Sequence, residues 1–435
     1  MARRVPAIDR KEWLPLGVIA ALALLAFGLY AFRQSPRPVA AAPITPAAPA
    51  PQPVVQPTPA PTPPAPIRAD ELVAAQPGPT GNLVVARDAE ARPTSLPGAL
   101  QRDTEGLLAS YGLPYGAVVM IDPRSGQVLT MAESRDAADP VGAVGHLTKP
   151  TVPAASVIKV ITTAALLQAG VPADRTACFH GGLHGLDASH LRERPSDRRC
   201  ETLTEALARS SNAAIARFAL RDLPAGALGK MASAFGFNRP VPSDIALAPS
   251  RFDDAGNDLD RARAAAGFAG SSLSPLHAAW IAALVASDGK LRRISAWDVP
   301  LAESDRAGAQ QDAPTLNPDV AATLRQMMVA TTEIGTGRNA FGRRAKALRG
   351  VAVGGKTGSL SAPEGPLFRH VSWFVGFAPA ERPRVAIAVL AVNGWKWKVK
   401  APVVARDALS LFFERAGEKT AAAAPALLDA TANRL

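Results

Sequence analysis

The stretch that decides the fold is GAVVMIDPRSGQVLTMA, residues 116–132. Two apolar arms rich in β-branched residues flank Asp122-Pro123-Arg124-Ser125-Gly126, a turn signal, so the segment reads as a β-hairpin. Working outward, three more strand-like runs follow one another near the other end of the chain: ALRGVAVGGKTG (347–358), FRHVSWFVGFA (368–378) and RVAIAVLAVNG (384–394). Between these groups the apolar spacing is helical, as in VIKVITTAALLQAG (157–170), LTEALARSSNAAIARFAL (203–220) and LHAAWIAALVA (276–286). A last helical run, VVARDALSLFFERA, covers 403–416. Strands at both sequence ends with helices between them predict an α+β fold, with one antiparallel sheet covered by helices.

The 435 residues leave room for one large or two ordinary domains. The run WLPLGVIAALALLAFGLYAF, residues 13–32, carries no charge, and its length matches a bilayer core of roughly 30 Å at 1.5 Å rise per residue. Arg3, Arg4, Arg10 and Lys11 precede it, so the positive-inside rule places 1–12 in the cytoplasm and the rest of the chain outside. An uncleaved anchor is expected over a signal peptide, whose apolar core is shorter, although Ala40-Ala41-Ala42 would suit a peptidase. Many of the 40 prolines cluster after the anchor, where an extended Pro/Ala-rich spacer that buries no core is expected. The expected layout is therefore tail 1–12, anchor 13–32, linker and stalk 33–104, a globular domain 105–417 and flexible tail 418–435.

Net charge is +11, with the basic residues scattered and no nucleic-acid motif, so no nucleic-acid partner is expected. Cys178 and Cys200 are the two cysteines; outside the membrane they are expected to pair as a disulfide. A metal site using them with His180, His184 or His190 matches no standard zinc spacing, so neither metal nor cofactor is expected.

Three short motifs carry chemistry. Ser156-Val157-Ile158-Lys159 opens an apolar helix: at i and i+3 the two side chains share a face, the helix start offers free N–H groups to an oxyanion, and an amine in apolar surroundings becomes a base. Ser-x-x-Lys also arises by chance about once in a chain of this size, and Ser287-Asp288-Gly289-Lys290 is a second copy, where Asp-Gly signals a turn. Ser210-Ser211-Asn212 lies between two helical runs, where a polar break or a helix cap would read the same. Lys356-Thr357-Gly358-Ser359 ends the strand-like run VAVGG, offering a cation and a hydroxyl for a carboxylate. Gly350 to Thr357 also matches the phosphate-loop pattern, but no helix follows Lys356 and the later strand lacks an acidic residue for magnesium.

Taken in this order, the three motifs resemble those of the penicillin-recognising serine enzymes, and their gaps resemble penicillin-binding protein transpeptidase domains. Gly335-Thr336-Gly337 and the segments at 267–290 and 373–392 are similar to that family as well. The resemblance spans roughly 105–417. It implies a sheet of about five strands sandwiched by helices, as in serine β-lactamases and transpeptidases, preceded here by one transmembrane helix. It implies Ser156 as nucleophile, Lys159 as general base, Ser210 and Asn212 relaying protons and holding the substrate backbone, Lys356 and Thr357 on its carboxylate, with Gly358 leaving room for it, and the N–H groups of Ser156 and Ser359 as oxyanion hole. Ser359 stands where many members carry Thr. Implied partners are a peptidoglycan stem peptide, β-lactam antibiotics, the bacterial cytoplasmic membrane through the N-terminal helix, and a separate glycan polymerase. The implied activity is D,D-transpeptidation on the extracytoplasmic (periplasmic) side. D,D-carboxypeptidase and serine β-lactamase are the enzymatic alternatives; a penicillin-binding sensor or scaffold is the alternative outside enzymes. Against a β-lactamase, VPSDIALAPSRFDDAGNDLD (241–260) holds no Glu to activate a deacylating water, although Asp253 or Asp254 could stand in.

Overall fold

The computed structural model describes residues 66–423 apart from 88–89, 137, 139–146, 184, 254–255, 291–292, 299–315, 343–347 and 365–366. The tail 1–12, the anchor 13–32, the spacer up to 65 and the tail beyond 423 lie outside the described residues. Among the described residues no helix is long and apolar enough to cross a membrane.

In chain order the elements begin with α1 (Ala69–Val73), β1 (Gln76–Pro77), β2 (Asn82–Arg87), β3 (Glu90–Pro97), α2 (Gly98–Ser110), β4 (Tyr115–Ile121) and β5 (Val128–Arg135). A 3₁₀ turn, Ala155–Val157, leads into α3 (Ile158–Gln168), followed by β6 (Thr176–Phe179), β7 (Arg199–Thr202), α4 (Leu203–Ala208), α5 (Asn212–Asp222) and α6 (Ala227–Ala234). Then come β8 (Arg251–Phe252), α7 (Asp258–Ala266), β9 (Ser271–Ser272), α8 (Pro275–Ala286), α9 (Pro318–Glu333) and α10 (Arg338–Phe341). The chain closes with β10 (Gly354–Glu364), β11 (Leu367–Ala378), β12 (Val385–Asn393) and α11 (Ala401–Ala423).

The main sheet has five antiparallel strands in the order β10-β11-β12-β4-β5. The β4-β5 hairpin thus joins the meander of β10, β11 and β12 in one sheet, as the sequence leads one to expect. Every residue of β4 and of β12 is buried. The reason is that both faces of the sheet are covered, so the central strands read as continuous apolar runs instead of alternating ones. Alternate side chains sort to opposite sides. Ala117, Val119, Trp373, Val375, Ala388 and Leu390 join the larger core with the central helices; Val118, Met120, Phe374, Ile387 and Val389 pack with Leu100 and Leu108 of α2 and Val404, Ala408 and Leu409 of α11. Helix α8 is buried at all 12 positions and lies on β4, β11 and β12. Its apolar all-round composition permits no other place.

Three sequence-level expectations need correction. Residues 66–104 are no stalk: α1, β1–β3 and the start of α2 are folded, with Leu72, Leu83, Val85 and Leu96 in the larger core. The hydrogen bond from Ser95 N–H to Ala296 O ties this segment to the rest. In β3, Pro93 and Pro97 interrupt the strand signal. Val351–Val353 are not strand residues; β10 starts at Gly354, so Lys356 lies inside the strand instead of at its end. Helix α11 continues past 417, to Ala423.

Candidate active site

The strained turn before α3 sets the first position. Ala155 has φ 49, a left-handed conformation that is costly for a residue with a Cβ. It is held from behind by Gly267 at the end of α7, where an added Cβ would lie 2.0 Å from Ala155 O and 3.1 Å from Ser156 N. Ser156 is half-buried and opens toward the cleft.

One turn on, Lys159 is fully buried. Its Nζ lies 2.7 Å from Ser156 Oγ, 2.7 Å from Asn212 Oδ1 and 2.9 Å from Ala266 O. Burial first, and then the neighbouring Lys356 charge, pushes its pKa well below the ordinary lysine value. A neutral amine has two N–H donors and one lone pair. The two carbonyl oxygens can only accept, so they take both donors and leave the lone pair facing the Ser156 hydroxyl.

Asn212 heads α5, and Ser210 before it has φ 59. The Asn212 amide is used at both ends: Oδ1 accepts from Lys159, and Nδ2 donates to Gly182 O (2.9 Å) and Leu183 O (3.1 Å). Through these two bonds Asn212 clamps a loop. Leu183 itself is 71% exposed beside this clamp.

The loop is part of the excursion between β6 and β7, which pair antiparallel with Cys178 opposite Cys200, joined as a disulfide. Arg217, one and a half turns along α5 from Asn212, is 4% exposed and anchors the excursion. It donates to Cys178 O, to His190 O (2.8 Å), to Arg192 O (2.6 Å) and to Asp197 Oδ2 (2.6 Å). Asp197 in turn meets His180 Nδ1 at 2.7 Å. Among the described residues no group of His, Cys, Asp and Glu is placed to hold a metal ion.

The third motif faces the others from β10, the edge strand. Lys356 is fully buried, its Nζ donating to Ser210 Oγ (2.9 Å) and Thr357 O (2.7 Å), and burial lowers its pKa to about 7. Gly358 lies against the 3₁₀ turn, its built Cβ 3.5 Å from both Ala154 O and Ala155 Cβ; Ser359, exposed, comes one residue further along. Trp373, across from Gly358 in the register, donates from Nε1 to Pro153 O at 2.9 Å, which fixes strand and turn together.

The structure thus brings Ser156, Lys159, Ser210, Asn212, Lys356, Thr357 and Gly358 to one cleft. It leaves the second Ser-x-x-Lys elsewhere, at the end of α8. Sequence reasoning gave no role to Thr336, whose Oγ1 is 2.5 Å from Thr357 Oγ1, although Gly335-Thr336-Gly337 was visible as a motif. It missed Arg217 entirely, since one arginine in a helical run has no signature.

A 30% identical relative is the peptidoglycan D,D-transpeptidase PbpA of Mycobacterium tuberculosis, matched over 321 residues, 65% of this chain and 63% of the relative. PbpA of Mycolicibacterium smegmatis is 28% identical over 314 residues, covering 64% of this chain and 62% of its own length. The chain therefore spans less than two thirds of either relative. Among solved structures, the imipenem acyl-enzyme complex of penicillin-binding protein A from M. tuberculosis superposes with TM-score 0.57 at 25% identity, covering 75% of this chain and 80% of that one. The D,D-transpeptidase domain of a peptidoglycan glycosyltransferase from Eggerthella lenta shares the fold, with TM-score 0.61 at 22% identity and coverage of 82% and 92%. The family model for the penicillin binding protein transpeptidase domain matches residues 116–409, more than half of the sequence, and the chain belongs to that family.

Proposed function

We propose that this protein is a serine D,D-transpeptidase that cross-links peptidoglycan stem peptides through an acyl-enzyme on Ser156 and is acylated at the same residue by β-lactams. The observation that carries the reading is the fully buried Lys159, whose Nζ lies 2.7 Å from Ser156 Oγ while Asn212 Oδ1 and Ala266 O take two of its donors. Ser156 Oγ attacks the carbonyl of the penultimate D-Ala while its proton passes to Lys159 Nζ. The N–H groups of Ser156 and Ser359 receive the oxyanion. Lys159 returns the proton to the departing terminal D-Ala nitrogen, and an ester remains on Ser156. An amine of a second stem peptide then attacks that ester, gives its proton to Lys159, and Ser156 leaves with that proton restored. Lys356 and Thr357 receive the terminal carboxylate of the donor. The relatives named peptidoglycan D,D-transpeptidase and the imipenem acyl-enzyme support the assignment.

The reading extends to residues 13–32 as a membrane anchor that holds the catalytic domain on the extracytoplasmic side, working with a separate glycan polymerase. N-terminal sequencing of the membrane form tests the anchor; a mature start near Ala42 would remove it. The choice of transpeptidase over β-lactamase rests on the lack of a Glu in 241–260. Intact-protein mass spectrometry of the penicilloyl adduct tests it. A lifetime that shortens when a stem-peptide amine is added is expected, and turnover of penicillin within seconds without an amine would overturn the assignment.

A further inference from the structure

The loop between β12 and α11, Gly394-Trp395-Lys396-Trp397-Lys398-Val399-Lys400, is unlike the rest of the described surface. Trp395 is 74% exposed and Trp397 36%, and Lys396, Lys398 and Lys400 are exposed between and after them. Exposed indoles are ordinarily drawn into cores or interfaces. No acidic residue occurs from 382 to 406, so the lysines have no carboxylate within their own segment.

The loop is also built to hold its shape. Asn393, fully buried, accepts through Oδ1 from Lys398 N (2.8 Å) and Val399 N (3.2 Å) and donates through Nδ2 to Val399 O (3.0 Å). Trp397 stacks on His370 with ring centroids 4.7 Å apart and planes 21° apart. Lys400 Nζ sits 5.0 Å from the Trp397 ring, and Lys398 Nζ donates to Gly112 O. His370 continues the chain of contacts, with Nε2 3.0 Å from Trp395 O and Nδ1 2.7 Å from Ser361 Oγ. Ser361 is two residues after Ser359 on the catalytic strand, about 7 Å at the rise of an extended strand. The tryptophan loop is therefore joined by direct contacts to the edge that carries the proposed oxyanion donor.

We infer that this loop is a docking strip for the glycan–peptide polymer whose stem peptides enter the Ser156 cleft, an inference that rests on the proposed function. The flat C–H faces of pyranose rings suit a solvent-facing indole, and the carboxylates of stem peptides suit Lys396 and Lys400. Continuity with the catalytic strand favours this occupant over an anionic lipid surface: a polymer threaded past Ser359 reaches Ser361, His370 and then the strip. Charge complementarity points the same way, since wall peptide carries carboxylates at regular intervals.

The test uses the full chain in detergent, co-sedimented with purified insoluble wall polymer and, separately, with vesicles of phosphatidylglycerol. Trp395→Ala, a change at an exposed ring, and the charge reversal Lys396→Glu with Lys400→Glu are compared with the unaltered chain, each checked for an unchanged thermal midpoint. Retention on the polymer weaker by about tenfold in both variants is expected. Equal retention of the variants would overturn the strip, and so would loss of vesicle binding with polymer binding intact. Penicillin labelling of the unaltered chain reads the proposed function separately: polymer retention that depends on Trp395 in a chain that takes no label would sink the transpeptidase and leave the strip.

Discussion

Ser156-Val157-Ile158-Lys159 and Ser287-Asp288-Gly289-Lys290 have the same spacing, and the backbone separates them. In the first, the residues rise from a 3₁₀ turn into α3, so serine and lysine fall on one face with Nζ and Oγ 2.7 Å apart. In the second, Ser287 ends α8, Asp288 and Gly289 take φ 55 and φ 76, and the chain folds back. There Ser287 Oγ donates to the carbonyl of Lys290 (2.8 Å), while the Lys290 side chain is exposed. A pattern of letters becomes a catalytic pair only when the intervening residues continue a helix into an apolar interior. Val157 and Ile158 do that; Asp288-Gly289 prevents it.

The largest expected effect is on labelling. Ser156→Ala abolishes acylation by a fluorescent penicillin, and Ser287→Ala leaves it unchanged, with peptide mass mapping of the adduct as the check; label retained in Ser156→Ala would reverse the comparison. Next comes the amine. Lys159→Met slows acylation by about 10²–10⁴-fold, the usual range for removing a general base, whereas Lys290→Met has no effect, measured as the second-order rate constant with penicillin.

A third prediction concerns what the second copy lacks: a partner segment that clamps its lysine. Cys178→Ser with Cys200→Ser removes a bridge across a separation of 22 residues, worth about 3 kcal/mol in chain entropy, read as a lowered thermal midpoint. Arg217→Met frees the same excursion and lowers the acylation rate about tenfold by loosening Asn212. Acylation should then gain less from raised pH, because the Asn212 hydrogen bond no longer orients the Lys159 lone pair. An unchanged rate and pH profile would make Arg217 purely structural.

The last effect is thermodynamic. Lys356 loses its proton near pH 7 in the folded chain, and unfolding returns it to the ordinary value of 10.5. Between those values the unfolded chain binds the extra proton, so this group makes stability rise with pH from about 7 to 10.5 and contributes no slope below. Lys356→Met should flatten part of that rise in denaturant titrations at successive pH values.

How far the sequence could be read follows the same physics. The sheet was legible because DPRSG and the long apolar runs of β11 and β12 are local signals. The three motifs were legible as a set because their order and spacing are restrictive. Residues 66–104 were not, since β3 carries Pro93 and Pro97 and this segment is tied in through partners such as Ala296, far away in sequence. The start of β10 was misplaced because Val351 and Val353 have strand character, while Gly354 and Gly355 have little propensity and form strand through pairing with Phe377 and Gly376. Arg217 was invisible because its importance lies in four acceptors gathered from a loop that only the fold brings near.

The left-handed residue before the nucleophile has a consequence for how such a chain can drift. Ala155 at φ 49 stores strain of order 1–3 kcal/mol, and Gly267 behind it admits no side chain. The aim of Ser156 is thus written in main-chain torsion, not in a removable contact. Substitutions around the rim, at Leu183 or Ser359, can change what fits the cleft while the nucleophile keeps its direction. Position 155 is different: glycine there would relax the turn and make the folded chain more stable, while letting Ser156 wander. Stability and aim are opposed at that one residue, so selection for robustness alone would blunt the site.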